Sequence, residues 1–79
     1  MLSKVHSVVL YHTDACHLCD LAADLLQQAQ VMFVAEDICE DELLAERYGT
    51  RIPVVRITTD NRELGWPFDL KALQEFLGA

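Results

Sequence analysis

Between Val5 and Tyr11 the apolar positions Val5, Val8, Val9 and Leu10 form a near-continuous, β-branched run, the pattern of a buried strand. His12-Thr13-Asp14-Ala15 breaks it as a loop. From about Cys16 to Ala29 the pattern changes to helical spacing. Leu18, Ala22, Leu25 and Ala29 lie on one face, while Asp20, Asp24, Gln27 and Gln28 fall elsewhere. Val31 to Ile38 reads as a second strand. A short acidic helix follows from about Glu40 to Tyr48, with Leu43 and Leu44 inward and Gly49 placed to terminate it. A third strand, Ile52 to Ile57, leads through the turn Thr59-Asp60-Asn61 into a short fourth strand, Arg62-Glu63-Leu64, which closes a hairpin. After Trp66-Pro67-Phe68, Asp69 is an N-cap for a final helix that buries Leu70, Leu73, Phe76 and Leu77, with Gly78 just past its end.

The order β-α-β-α-β-β-α constrains the topology. The opening β-α-β unit predicts a right-handed crossover between two parallel strands, and the closing hairpin adds antiparallel strands to the same sheet. The expected architecture is α/β, a four-stranded mixed sheet flanked by three helices. With 79 residues and neither repeat nor linker, residues 1–79 are expected to form a single domain with one modest core.

Charge narrows the function. Six Lys and Arg against thirteen Asp and Glu leave a net charge of −7. That balance disfavours nucleic acid, whose binding rests on cations neutralising phosphates. It also disfavours anionic membranes and, less strongly, small anions. No stretch approaches the roughly 20 apolar residues of a membrane span. The run Val8-Val9-Leu10-Tyr11 is too short for an export signal. The expectation is a cytoplasmic protein, in a compartment where thiols are kept reduced. Three cysteines, an odd number, fit poorly with a disulfide-braced secreted domain.

Cys16 and Cys19 stand three apart at a strand-to-helix junction. Positions i and i+3 on a helix have Cβ atoms about 5–6 Å apart, and a disulfide needs about 3.5–4.5 Å. At a flexible first turn such a bond both closes and opens at little cost. Unpaired N–H groups and the positive helix end favour an anion there. Cys16, at the mouth, is therefore the attacking thiolate and Cys19, one turn inside, the resolving thiol. His17, when protonated, adds positive charge beside Cys16, and Asp14 opposes it; both are candidate tuning residues. The competing chemistries are half a zinc site, another metal role, or two inert buried cysteines. Zinc lacks support, because Cys39, His6, His12 and His17 supply no second closely spaced pair. A Cys-x-x-Cys beside a β-α-β pattern points to redox use.

The run Val9 to Cys19, ending Asp14-Ala15-Cys16-His17-Leu18-Cys19, resembles the active-site entry of glutaredoxins. Tyr48-Gly49-Thr50-Arg51-Ile52-Pro53-Val54 is similar to their cis-proline stretch, and Leu64-Gly65-Trp66-Pro67-Phe68-Asp69 to their glycine pair and capping Asp. The resemblance spans the chain and is greatest to small bacterial glutaredoxin-like proteins bearing Cys-His-Leu-Cys. It implies a thioredoxin-like, glutaredoxin-type fold and a thiol–disulfide oxidoreductase. It also implies a cis Pro53 opposite Cys16, with the Ile52 backbone pairing to an extended disulfide substrate. Arg51, Ile52, Pro53, Gly65 and Trp66 become the substrate-side candidates. Protein or small-molecule disulfides are the implied partners, with a cellular thiol as reductant, in a monomer that requires no metal and no cofactor. Glutathione fits the pattern poorly. Asp14 and Ala15 stand where a Lys or Arg usually meets it, Trp66 replaces a glycine, and Arg51 is the one cation left. An iron–sulfur module held through Cys16 and external thiols, or a non-catalytic interaction domain, are the alternatives on the same fold. Cys39 is expected to be a spectator, and His12 structural or solvated.

Overall fold

The computed structural model describes residues 7–78. The elements are β1 (Val8–His12), α1 (His17–Gln28), β2 (Val34–Asp37), a 3₁₀ turn (Ile38–Glu40), α2 (Glu42–Tyr48), β3 (Val54–Ile57), β4 (Arg62–Gly65) and α3 (Leu70–Leu77). The expected start of the first strand, at Val5, lies outside the described residues.

The sheet order is β2-β1-β3-β4. β1 runs parallel to β2, with Val9 opposite Val34 and His12 opposite Asp37. β3 returns antiparallel to β1 (Leu10 opposite Val55, Tyr11 opposite Val54) and β4 antiparallel to β3 (Val54 opposite Gly65, Arg56 opposite Glu63). The mixed four-stranded sheet with three α-helices is thus the one the element order implies.

β1 is central, so its two faces feed two cores, as the alternation of side chains along a strand requires. Val8 and Leu10 pack with Val55, Ala22, Leu26, Phe68 and Leu73, beneath α1 and α3. Val9 and Tyr11 pack with Val54, Ile38 and Tyr48, beneath α2. β2 is one of the two edge strands and leaves Ala35 and Glu36 exposed.

Four expectations are corrected. Leu18 is 42% exposed, because the buried line of α1 is Cys19, Ala22 and Leu26, with Leu25 and Ala29 at its margin. Leu43 is 76% exposed. The two-turn α2 reaches the sheet through Leu44 and Tyr48, four apart, and Leu43 lies about 100° round the axis from Leu44. The predicted second helix divides into the 3₁₀ turn, capped by Asp37, and α2, capped by Asp41, whose carboxylate accepts from Leu43 N–H at 2.8 Å.

β2 also starts later than its apolar run. Gln30 N–H donates to Gln27 O at 3.0 Å and Val31 N–H to Leu26 O at 3.3 Å, with Gln30 at φ 58°. This is the left-handed double closure of a helix C-terminus, and it occupies the residues that would otherwise begin the strand. At the other end of the chain, Asp69 caps α3 through Ala72 N–H at 2.8 Å, and Gly78 follows the helix at φ 83°. No helix among the described residues is long and apolar enough to cross a membrane.

Candidate functional site

β1 ends at His12, and the chain turns through Asp14 and Ala15, the latter at φ 58°, to enter α1. Cys16 is the N-cap, in extended conformation, and its sulfur accepts the Cys19 N–H at 3.2 Å. It fills the role that a Ser or Asp oxygen usually plays for one of the orphan donors of a first turn. The Cys16 and Cys19 sulfurs are within disulfide-bonding distance, with Cα atoms 5.2 Å apart. The two thiols are unequal. Cys16 is half-buried at the helix mouth, whereas Cys19 is 3% exposed and packs inward. Asp14, His17 and Leu18 surround the mouth, all exposed.

The sheet register brings the remaining candidates to the same end of the molecule. Tyr11, Val54 and Gly65 lie side by side across β1, β3 and β4, so Pro53 sits one residue further toward the end of β1 and the cysteine loop. The Ile52–Pro53 bond is cis, the isomer the resemblance implies, and Pro53 is fully buried. Trp66 N–H donates to Pro53 O at 3.2 Å, tying the segment after β4 to the start of β3. Ile52 N–H is engaged by Tyr48 O at 3.1 Å. Gly65 is exposed and has open space around its Cα. The Trp66 ring meets Phe68 edge-on, with centroids 5.0 Å apart, and rests against the α1–α3 core. The Trp66–Pro67 bond is also cis, which nothing in the sequence signalled beyond the dipeptide itself.

Arg51 joins a polar network that the sequence did not reveal. Its guanidinium donates to Glu63 Oε1 at 2.9 Å and lies 5.3 Å over the Tyr48 ring. The Tyr48 hydroxyl donates to the other oxygen, Glu63 Oε2, and the Tyr48 ring stacks on Tyr11 at 4.3 Å. Burial, then the Glu63 carboxylate, pushes the Tyr48 hydroxyl up to about 12. The same hydrogen bond, with help from Arg51, holds the Glu63 carboxyl below its usual range. The alternation in Arg62-Glu63-Leu64 was the available signal that Glu63 faces away from the α1–α3 core, but it could not name Tyr48 as partner.

Cys39 has no partner near it in sequence. It is exposed, and its sulfur lies 3.1 Å from Thr13 Oγ1, because parallel pairing of β1 with β2 aligns their ends beside the cysteine loop. Among the described residues no three His, Cys, Asp or Glu side chains converge where a metal ion could be held.

A family model for the Glutaredoxin-like domain (DUF836) matches residues 7–78. Among solved structures, the X-ray structure of the structural-genomics target protein XcR50 from X. campestris is 43% identical, with a TM-score of 0.84 over 90% of this chain and 95% of that one. Its solution structure is 42% identical at a TM-score of 0.82, covering 91% and 92%. Protein Ne2328 from Nitrosomonas europaea shares the fold at 23% identity, with a TM-score of 0.70 over 96% of this chain and 98% of that one. The thioredoxin-like protein BC3987 does so at 19% identity, with a TM-score of 0.69 over 94% and 97%. No curated protein matches. A thioredoxin-like sheet, a cysteine pair at the mouth of its first helix and a family match over nearly the whole chain lead to one conclusion: this protein belongs to the glutaredoxin-like domain family.

Proposed function

We propose that this protein is a thiol–disulfide oxidoreductase working by a dithiol route, with Cys16 as nucleophile and Cys19 as resolving thiol. The observation that carries the reading is the asymmetry of the pair. Cys16 caps α1 with a backbone N–H on its sulfur, and Cys19 is buried one turn behind it. The donor that caps the helix stabilises sulfur as thiolate more than as thiol.

In the reducing direction the Cys16 thiolate attacks one sulfur of the substrate disulfide. The S–S bond breaks, and the leaving thiolate takes a proton from solvent. Cys19 then loses its proton and attacks the Cys16 sulfur, releasing the second substrate thiol. Two electrons have passed from the dithiol to the substrate, and the Cys16–Cys19 disulfide remains for a cellular thiol to reduce. That reset requires a reducing compartment, consistent with the expected cytoplasm. An extended substrate lies along the Ile52–Pro53 segment. With the Ile52 N–H spent on Tyr48, the Ile52 carbonyl is the group left to pair with it. Gly65 leaves room on the opposite side, and Trp66 bounds it. Asp14 and His17 set the charge around the nucleophile.

The test is trapping. Cys16→Ser should abolish exchange, and Cys19→Ser should accumulate mixed disulfides on Cys16 that mass spectrometry can identify. Equal loss of trapping in the two variants refutes the assigned roles, as does a dominant Cys16–Cys39 bond in the oxidised wild-type chain.

A further inference from the structure

Away from the cysteines, on the sheet face covered by α2, a hollow of about 330 Å³ opens between α2 and the β3–β4 hairpin. It is lined by Arg47 from α2, Arg56 from β3, Asn61 from the turn and Glu63 from β4. In a chain with six Lys and Arg and a net charge of −7, this is a local reversal. Arg47 and Arg56 line the hollow, two guanidiniums against the one carboxylate of Glu63, which is itself paired with Arg51. Arg47 also lines a second hollow, with Leu43 and Glu46, so it stands between the two.

The hydrogen bonds already made decide what this hollow can hold. Glu63 Oε1 accepts from Arg51 and Oε2 from Tyr48. Asn61 Oδ1 accepts from Arg56, whose other terminal nitrogen donates to the Tyr11 hydroxyl at 3.2 Å. The acceptors are therefore engaged. What remains unused is a set of donors, namely the Asn61 amide NH₂, the remaining N–H groups of Arg56, and all of Arg47, which has no hydrogen bond or ion pair among the described residues. Arg56 is held in place by its two partners. Arg47, on the exposed side of α2, is free to close over a ligand.

We propose that this hollow binds a small oxyanion, the carboxylate or phosphate group of a metabolite, gripped between Arg47 and Arg56 with the Asn61 amide as a third donor. Guanidinium forks match the planar or tetrahedral oxygens of such groups. The volume, at the small end of the roughly 300–1,000 Å³ of ligand pockets, suits a compact anion. The site is independent of the cysteine pair and of any redox activity.

The test is a titration of the ¹⁵N-labelled full chain with inorganic phosphate and, in a parallel arm, with succinate, at ionic strength held constant with sodium chloride. Saturable shifts of the Asn61 side-chain amide and of the Arg47 and Arg56 Nε–H signals are expected, and the tighter arm names the source of the anion. Arg47→Gln should weaken that binding about tenfold or more, the scale of one charge-assisted contact. Asn61→Asp, which keeps size and a left-handed-compatible backbone, should weaken it as well by placing a carboxylate among the donors. Non-saturating shifts that sodium chloride alone reproduces overturn the proposal, and so does saturable binding that neither variant weakens.

Discussion

At Cys16 a sulfur stands where a helix usually has a capping oxygen, so the contact that stabilises the fold also stabilises the thiolate. Asp14, exposed and two residues away, is the nearest opposing charge in sequence. Asp14→Asn is expected to shift the thiolate absorbance of reduced Cys16 to lower pH, because it removes a like charge near the sulfur. A shift to higher pH contradicts this electrostatic account. Tyr48 and Glu63 make a second residue-scale prediction. Tyr48 is raised from 10.0 to about 12, so the fold favours its protonated form. The stability this contributes is complete below pH 10 and is lost as pH rises through about 12. Glu63 is lowered from 4.5, so its contribution is complete above that value and is lost as pH falls through its folded-state value. Denaturant unfolding across pH should show both losses, and Glu63→Gln should remove the acidic one and move tyrosinate formation to lower pH.

Among the elements, the ends of the helices carry more of the specification than their middles. α1 stops on Gln30 in a left-handed conformation, where a glycine would carry no Cβ penalty. Relief of about 1–2 kcal/mol, less about 0.4–1 kcal/mol for the freer unfolded chain, predicts that Gln30→Gly stabilises the protein by about 0.5–1 kcal/mol. Asp69→Ala should act oppositely and cost about 1 kcal/mol, since it leaves Ala72 N–H without its cap. Both values are measurable as shifts in the denaturant midpoint. Unchanged stability in Gln30→Gly would show that the double closure of α1 is held by its hydrogen bonds and not limited by the residue's backbone.

On the scale of the whole molecule, charge and pocket shape bear on the reductant. Glutathione requires cations for its carboxylates and an open backbone edge for its peptide units. Arg51, which precedes β3, is bound to Glu63, and Trp66 packs edge-on against Phe68 beside the exposed Gly65. We therefore expect poor turnover of a glutathionylated substrate compared with an authentic dithiol glutaredoxin assayed alongside, and better exchange with protein or dithiol partners. Comparable efficiencies would make the altered pocket irrelevant. Asp14→Lys combined with Trp66→Gly should raise glutathione turnover if the missing charge and the crowding are the causes.

The sequence by itself determined the order and type of the elements, the mixed sheet they build and the redox pair. Each of these rests on short-range physics. Apolar runs and helical spacing mark the elements, Asp69 and Gly78 mark the ends of α3, and two cysteines one turn apart need no folding to become neighbours. Tertiary structure decided whatever depends on pairing across the chain. It turned the α1 stripe so that Leu26 rather than Leu18 is buried, and left Leu43 outside because a two-turn helix has room for one line of contact, Leu44 and Tyr48. It placed Cys39 beside Thr13, 26 residues away, and the Glu63 carboxylate against the Tyr48 hydroxyl, 15 residues away. Those neighbours are set by strand register and by the angle at which each helix crosses the sheet, and neither quantity is written in any local pattern of residues.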